Sequence, residues 1–273
     1  MNPPPLLPPA LPPSFREPIG QLLDTIFSSP TPPRISGNVE WSTTSKESVS
    51  HGVKFLVYGN AGSGKTLLAA TAPRPILISA ENGILSLSRK NIERVYGVNA
   101  PGISYDIPTA KIKTVQGLTD IFDWLVSPAN RGKFSTICLD SLSEMAEIIL
   151  KNALRDNKDG RMAYGDLADQ MIDMMKKFRD LEGYNVYFSA KQGLCEDSNL
   201  IGPSFPGKLL DREAPFLFDE IFQMQVLTNS DGQPVRVLRT SADGQHNAKD
   251  RSGALDPRGE FPNISSIIAK ISA

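Results

Sequence analysis

The sequence is poor in cysteine, in histidine and in net charge, and each shortage removes a class of function. Two cysteines in 273 residues, Cys138 and Cys195, cannot build a disulfide framework or a four-cysteine zinc site. A reducing, cytoplasmic setting is expected. The two histidines, His51 and His246, have no partner at metal-ligand spacing, which points to structural or solvated roles. Lys and Arg number 29 against 30 Asp and Glu, a net charge of −1. The chain is therefore not a strongly basic protein that coats nucleic acid through its overall charge. No run approaches the ~18 apolar residues of a membrane span, and the start lacks the basic and apolar pattern of a signal peptide. No membrane partner is expected. Hydrophobic residues at 40% and charged residues at 22% are ordinary for a folded protein with a sizeable core.

Proline, by contrast, is abundant and unevenly placed. Eleven of the 22 prolines lie in the first 33 residues, and proline lacks an N–H and fixes φ. Residues 1–13 are therefore expected as polyproline II or disorder. Ile19, Leu22, Leu23, Ile26 and Phe27 follow the spacing of one helical face, which predicts a short amphipathic helix over 19–27. The chain divides into a Pro-rich N-terminal extension (1–50), one core (51–260) and a C-terminal tail (261–273).

Inside the core, residues 53–58, 75–79, 136–139 and 186–189 are short apolar runs that read as buried strands. Residues 66–72, 117–126, 143–154 and 166–181 have helical periodicity. Strands that alternate with helices imply βαβ units, an α/β fold and a mostly parallel twisted sheet flanked by helices. Residues 220–228 and 235–240, joined by the turn Asn229-Ser-Asp-Gly232, read as an antiparallel hairpin at one end of that sheet. Cys138 falls inside an apolar strand, and Met171, Met174 and Met175 near a helix face; all are read as packing residues.

The strongest motif is Gly59-Asn60-Ala61-Gly62-Ser63-Gly64-Lys65-Thr66, which fits G-x-x-x-x-G-K-[ST]. Its glycines let consecutive N–H groups curve around a phosphate, and the helix that follows adds the positive end of its dipole. Lys65 would bridge the β- and γ-phosphates, and the Thr66 hydroxyl would ligate Mg²⁺. The pattern arises by chance in about 1% of chains this long. Here it also stands between a predicted strand and a predicted helix, which makes ATP with Mg²⁺ the expected ligand. A second anchor for Mg²⁺ should end a buried strand, and Asp140 does so; the alternative is that Asp140 only caps the next helix. Ser141 follows it, so no adjacent carboxylate can polarise the attacking water. Glu81, just past the strand 75–79, is expected to point from the carboxyl end of the sheet toward the γ-phosphate as that base. A solvated loop glutamate is the competing reading of Glu81, and Glu144 is a weaker rival for its role.

Glu81, the pair Asp140-Ser141 and the strand ending Phe188-Ser-Ala-Lys-Gln192 together resemble the RecA/RadA ATPase core, over about residues 52–255. The stretches Val57–Thr66, Leu77–Gly83 and Ala248–Gly253 resemble phage nucleotide-binding proteins of the RecA-like Sak type. That resemblance implies a DNA-stimulated ATPase acting on single-stranded DNA in phage-type recombination or annealing, in the host cytoplasm if phage-encoded. It implies self-assembly as a ring or filament with the ATP site between subunits, and a single-strand-binding protein as a further partner. It assigns Lys249 and Arg251 to a Lys-x-Arg element that reaches the neighbouring subunit's nucleotide, where cations stabilise the transferring phosphoryl group. It also assigns Gln192 to sensing the γ-phosphate.

The same resemblance places DNA-binding loops near residues 155–164 and 193–212. Lys158, Arg161 and Lys208 are the candidate phosphate contacts, and Tyr164 and Phe205 the candidate stacking platforms. Asp156, Asp159, Glu196 and Asp197 lie among these bases and weaken their electrostatic footprint. Three other readings stay open: a hexameric helicase-like DNA motor, a nucleotide switch, and a small-molecule kinase without DNA binding.

Overall fold

The computed structural model describes residues 51–273 apart from Asn82, Lys158 and Glu196. The expected Pro-rich extension, its 19–27 helix and the candidate contact Lys158 lie outside the described residues. Nine strands form one sheet among them. They are β1 (Lys54–Gly59), β2 (Pro75–Ser79), β3 (Thr109–Lys111), β4 (Thr136–Asp140), β5 (Asn185–Cys195), β6 (Leu200–Ser204), β7 (Glu220–Thr228), β8 (Pro234–Arg239) and β9 (Lys249–Asp250). The order is β3-β2-β4-β5-β1-β7-β8, with β6 on β5 and β9 on β7. Every pair from β3 to β7 along that order is parallel, and β8, β6 and β9 run antiparallel to their partners. This is the α/β arrangement expected from the sequence, a mostly parallel sheet flanked by helices, with the hairpin β7–β8 at one edge.

Side chains alternate between the two faces of the sheet, and each face has its own helices. On one face Leu56, Ile78, Leu139 and Phe188 pack with α3 (Val115–Val126), α4 (Leu142–Asp156) and α5 (Gly160–Arg179). On the other, Phe55, Val57, Leu77 and Tyr187 meet α1 (Lys65–Leu68) and α7 (Ile264–Ile271). Two further helices, α2 (Arg89–Tyr96) and α6 (Lys208–Glu213), complete the set. None of the helices among the described residues is long and apolar enough to cross a membrane.

Three segments differ from their sequence reading. Residues 193–212 are not an irregular loop: β5 runs on to Cys195 and turns back as β6, and α6 follows. Antiparallel pairing satisfies this backbone without an apolar period, and Gly193 lets the strands close up, since a Cβ there would lie 2.6 Å from the Ser204 Cβ. The 155–164 segment is mostly helix, because the Asp159 carboxylate accepts from Arg161 N (2.9 Å) and starts α5 at once. The expected tail holds α7: Asn263 caps it, accepting from Ser266 N (3.0 Å), and Ile264 and Ile267 are buried against the sheet. Ile264 N also donates to the Thr71 hydroxyl (2.8 Å), which ties α7 to the end of the P-loop helix.

Candidate active site

β1 ends at Gly59, and the loop that follows reverses into α1. Gly62 and Gly64 hold φ of +76° and +110°, a region an L side chain enters only with strain. A Cβ at Gly59 would lie 2.7 Å from Met224 O, so the loop seats directly on β7. Lys65 Nζ donates to Gly59 O (2.7 Å) and Asn60 O (3.0 Å). Burial lowers its pKa, and the carboxylates of Asp140 and Glu81 pull it back up. A cleft of about 460 Å³ opens beside the loop, bordered by Asn60, Ala61, Gly62, Ser63, Gln192, Gln223 and His246 among others.

Parallel pairing brings the other chemical groups to this end of the sheet. Ser79 of β2 stands beside Asp140 of β4, so Glu81, two residues on, reaches Ser141. The Ser141 hydroxyl donates to Glu81 Oε1 and also caps α4, accepting from Glu144 N at 3.4 Å. The helix cap is therefore Ser141, and Asp140 is left for other work. Asp140 is 1% exposed. Its Oδ2 accepts from the Thr66 hydroxyl (2.8 Å) and its Oδ1 from the Ser189 hydroxyl (2.5 Å). Burial raises its pKa and these two hydroxyls lower it. Glu144 is occupied elsewhere, with Lys191 Nζ 3.3 Å from its carboxylate.

The donor set fits Mg²⁺ held jointly with phosphates. The Thr66 proton goes to Asp140, which leaves the hydroxyl lone pairs for a cation, and Asp140 offers a fixed carboxylate behind it. Among the described residues no group of three or more His, Cys, Asp and Glu is placed to hold a metal alone, and Mg²⁺ is commonly bound by one or two carboxylates plus substrate oxygens.

Residues 51–252 match the AAA domain family. The chain belongs to that family. Membership and the loop 59–66 together support nucleotide binding and hydrolysis by this AAA domain. No curated protein matches its sequence. Among solved structures it is similar to the KaiC-like protein PH0186 from the hyperthermophilic archaea Pyrococcus horikoshii OT3, at 13% identity and a TM-score of 0.37, over 73% of this chain and 83% of that one.

The remaining sequence candidates of the AAA domain separate into groups. Gln192 borders the cleft, and its Oε1 accepts from Gln223 Nε2 (3.0 Å). Lys249 and Arg251 lie at the other end of β7, where Ile221 pairs with Lys249. Lys249 Nζ donates to Pro215 O (2.9 Å) and Phe218 O (2.5 Å), and Arg251 Nη1 to Asp219 Oδ1 (2.9 Å). Phe205 is a correction: it is 7% exposed and belongs to the core, so it offers little ring surface for a base to stack on. Tyr164 is exposed on α5 and packs over Gly207, next to Lys208, while Arg161 lies one turn before it.

Sequence reasoning missed Ser189, Tyr187 and Arg236. Ser189 stands beside Asp140 only because β5 is the strand next to β4. The Tyr187 hydroxyl donates to Lys65 O (2.8 Å) from inside the core. Arg236 of β8 donates from Nε to Ser63 O (3.0 Å). No motif marks these positions, since strand order and hairpin register create all three contacts.

Proposed function

We propose that this protein is a self-assembling RecA-like ATPase that binds ATP and Mg²⁺ at residues 59–66 and acts on single-stranded DNA in phage-type recombination or annealing. The observation that carries the nucleotide half is the convergence of Lys65, Thr66, Asp140 and Glu81 at one end of the sheet. Lys65 meets the β- and γ-phosphates, and Thr66 with Asp140 holds Mg²⁺, which supplies charge neutralisation when bound. Glu81, fixed by the Ser141 hydroxyl, accepts a proton from water as its oxygen attacks the γ-phosphorus; ADP leaves with the electron pair of the broken bond.

Self-assembly is supported by where the Lys-x-Arg element lies. From the Glu220 level of β7 to the loop is about four residues, or ~13 Å of strand, so Arg251, held beside Asp219, is separated from its own loop, as a cation offered to a second copy would be. Lys249 is largely committed to its own carbonyls; Arg251, 57% exposed, is the cation able to reach across. DNA contact is supported by the grouping of Arg161, Tyr164 and Lys208, an exposed ring between two bases.

The test is an ATPase assay titrated with single-stranded DNA, with oligomer size followed alongside. Turnover that rises with DNA and with assembly is expected. Equal turnover with and without DNA, at every protein concentration, would refute the recombination reading and leave a plain nucleotide switch or kinase.

A further inference from the structure

We propose that Arg236 is a phosphate ligand of the nucleotide, supplied by the hairpin of the same chain to complete the cradle formed by residues 59–66. The inference rests on the P-loop reading above and deepens it. Arg236 is pinned at the loop by two observations. Its Nε donates to Ser63 O at 3.0 Å, and its guanidinium fills the space at Gly64, where a Cβ would come within 2.9 Å of Nε. A side chain at position 64 would displace the arginine from this place as well as strain φ.

The donors left over give the contact its chemistry. A guanidinium carries five N–H groups in a planar fork suited to phosphate. Nε is used on the loop, and among the described residues the two terminal nitrogens make no hydrogen bond or ion pair. Arg236 is half-buried, and these terminal donors are not among the buried unpartnered atoms of the described residues, so an arriving phosphate can meet them. The neighbouring cations are engaged: Arg239 Nη1 lies 2.7 Å from Asp243 Oδ2, and Lys65 Nζ rests on the loop carbonyls.

The backbone makes the placement rigid. Arg236 pairs with Val226 across the hairpin, and β7 in turn pairs with β1, Gln223 beside Tyr58, one residue before the loop begins. A site built on strands holds its geometry better than one built on a free loop. Arg236 therefore acts in cis, whereas Arg251 lies beside Asp219, near the other end of β7.

Titrations of ADP and ATP into the full chain, with Mg²⁺, test this with Arg236→Gln, Arg236→Lys and Arg236→Ala. Glutamine keeps a donor for Ser63 O but lacks the charge. Binding of both nucleotides should weaken tenfold or more in Arg236→Gln and Arg236→Ala and less in Arg236→Lys, about what a lost charged hydrogen bond costs. The melting temperature without nucleotide should stay within a few degrees for Gln and Lys. Wild-type affinity in Arg236→Gln would reduce Arg236 to a brace for the loop and overturn the proposal, whether or not the alanine variant folds. If instead the wild type fails to bind ADP, or Lys65→Ala binds it equally well, the P-loop reading itself fails.

Discussion

Thr66 and Asp140 stand 74 positions apart in the chain and share a hydrogen bond of 2.8 Å. One lies on the first turn after the phosphate loop and the other at the last residue of β4, with β5 between their strands. Ser189 of that intervening strand holds the second oxygen of Asp140. A carboxylate at 1% exposure is thereby kept in one orientation by two hydroxyls, as a fixed support for a cation requires.

Replacing Lys65 by Ala should abolish nucleotide binding with little effect on the empty protein, because its ammonium bonds only to carbonyls of its own loop. Mg²⁺ and ATP at a hundred times Kd stabilise a binding protein by about 2.7 kcal/mol, a rise in Tm of about 5–10 °C for a domain of this size. A thermal-shift titration should show that rise in the wild type and none in Lys65→Ala. An equal rise in both would remove Lys65 from the site.

Asp140→Asn and Ser189→Ala should separate catalysis from folding. The asparagine removes a buried charge whose pKa burial has raised. A carboxyl with a raised folded pKa contributes stability below its unfolded pKa and loses that contribution as pH rises through the folded value. Asp140→Asn should therefore be as stable as the wild type or more so, with the gain growing toward high pH, while hydrolysis falls about a hundredfold or more. Ser189→Ala leaves one carboxylate oxygen unpartnered and should cost about 1–3 kcal/mol in urea unfolding. Loss of stability in Asp140→Asn would contradict this account.

Glu220 should govern how stability depends on pH. It is fully buried at the start of β7, its Oε1 accepts from Ser252 N (3.2 Å), and its Oε2 has no partner among the described residues. Burial first, and then the Asp250 carboxylate, push its pKa from 4.5 up to about 8. The contribution of Glu220 is fully present below pH 4.5 and is lost as pH rises to about 8, at up to about 1.4 kcal/mol per pH unit. Glu220→Gln mimics the protonated form, so its unfolding free energy should change less between pH 5.5 and 8 than that of the wild type. Parallel pH profiles for the two proteins would refute this.

Arg251→Ala should bind ADP as the wild type does and hydrolyse ATP poorly, because its side chain lies far from its own loop. Mixing Arg251→Ala with Lys65→Ala should restore part of the turnover, since some interfaces then pair an intact loop with an intact arginine. No recovery in oligomers shown to contain both chains would rule out action between subunits.

How far the sequence could be read depended on whether the interactions were local. The strands at 75–79 and 220–228 were legible because apolar runs and turn residues mark them within a few positions. The motif at 59–66 could be read because it lies within eight consecutive residues, whereas Asp140 and Glu81 were marked only as acidic residues at or just past the ends of apolar strands. Residues 193–212 were not legible, since hydrogen bonds to a returning strand shape that segment and leave no periodic trace. Phe205 was misplaced for the same reason: it reads as an exposed aromatic in a loop, but the turn from β6 into α6 folds it inward.

The sequence by itself determined that a phosphate-binding loop stands between a buried strand and a helix, with acidic residues at the ends of two later strands. Only the tertiary structure decided which of those groups meet. Strand order puts Ser189 under Asp140, parallel register carries Glu81 to Ser141, and the hairpin brings Arg236 to Gly64. Each of these contacts joins segments whose pairing is set by burial of the whole sheet, and burial of that kind is a property of the folded chain.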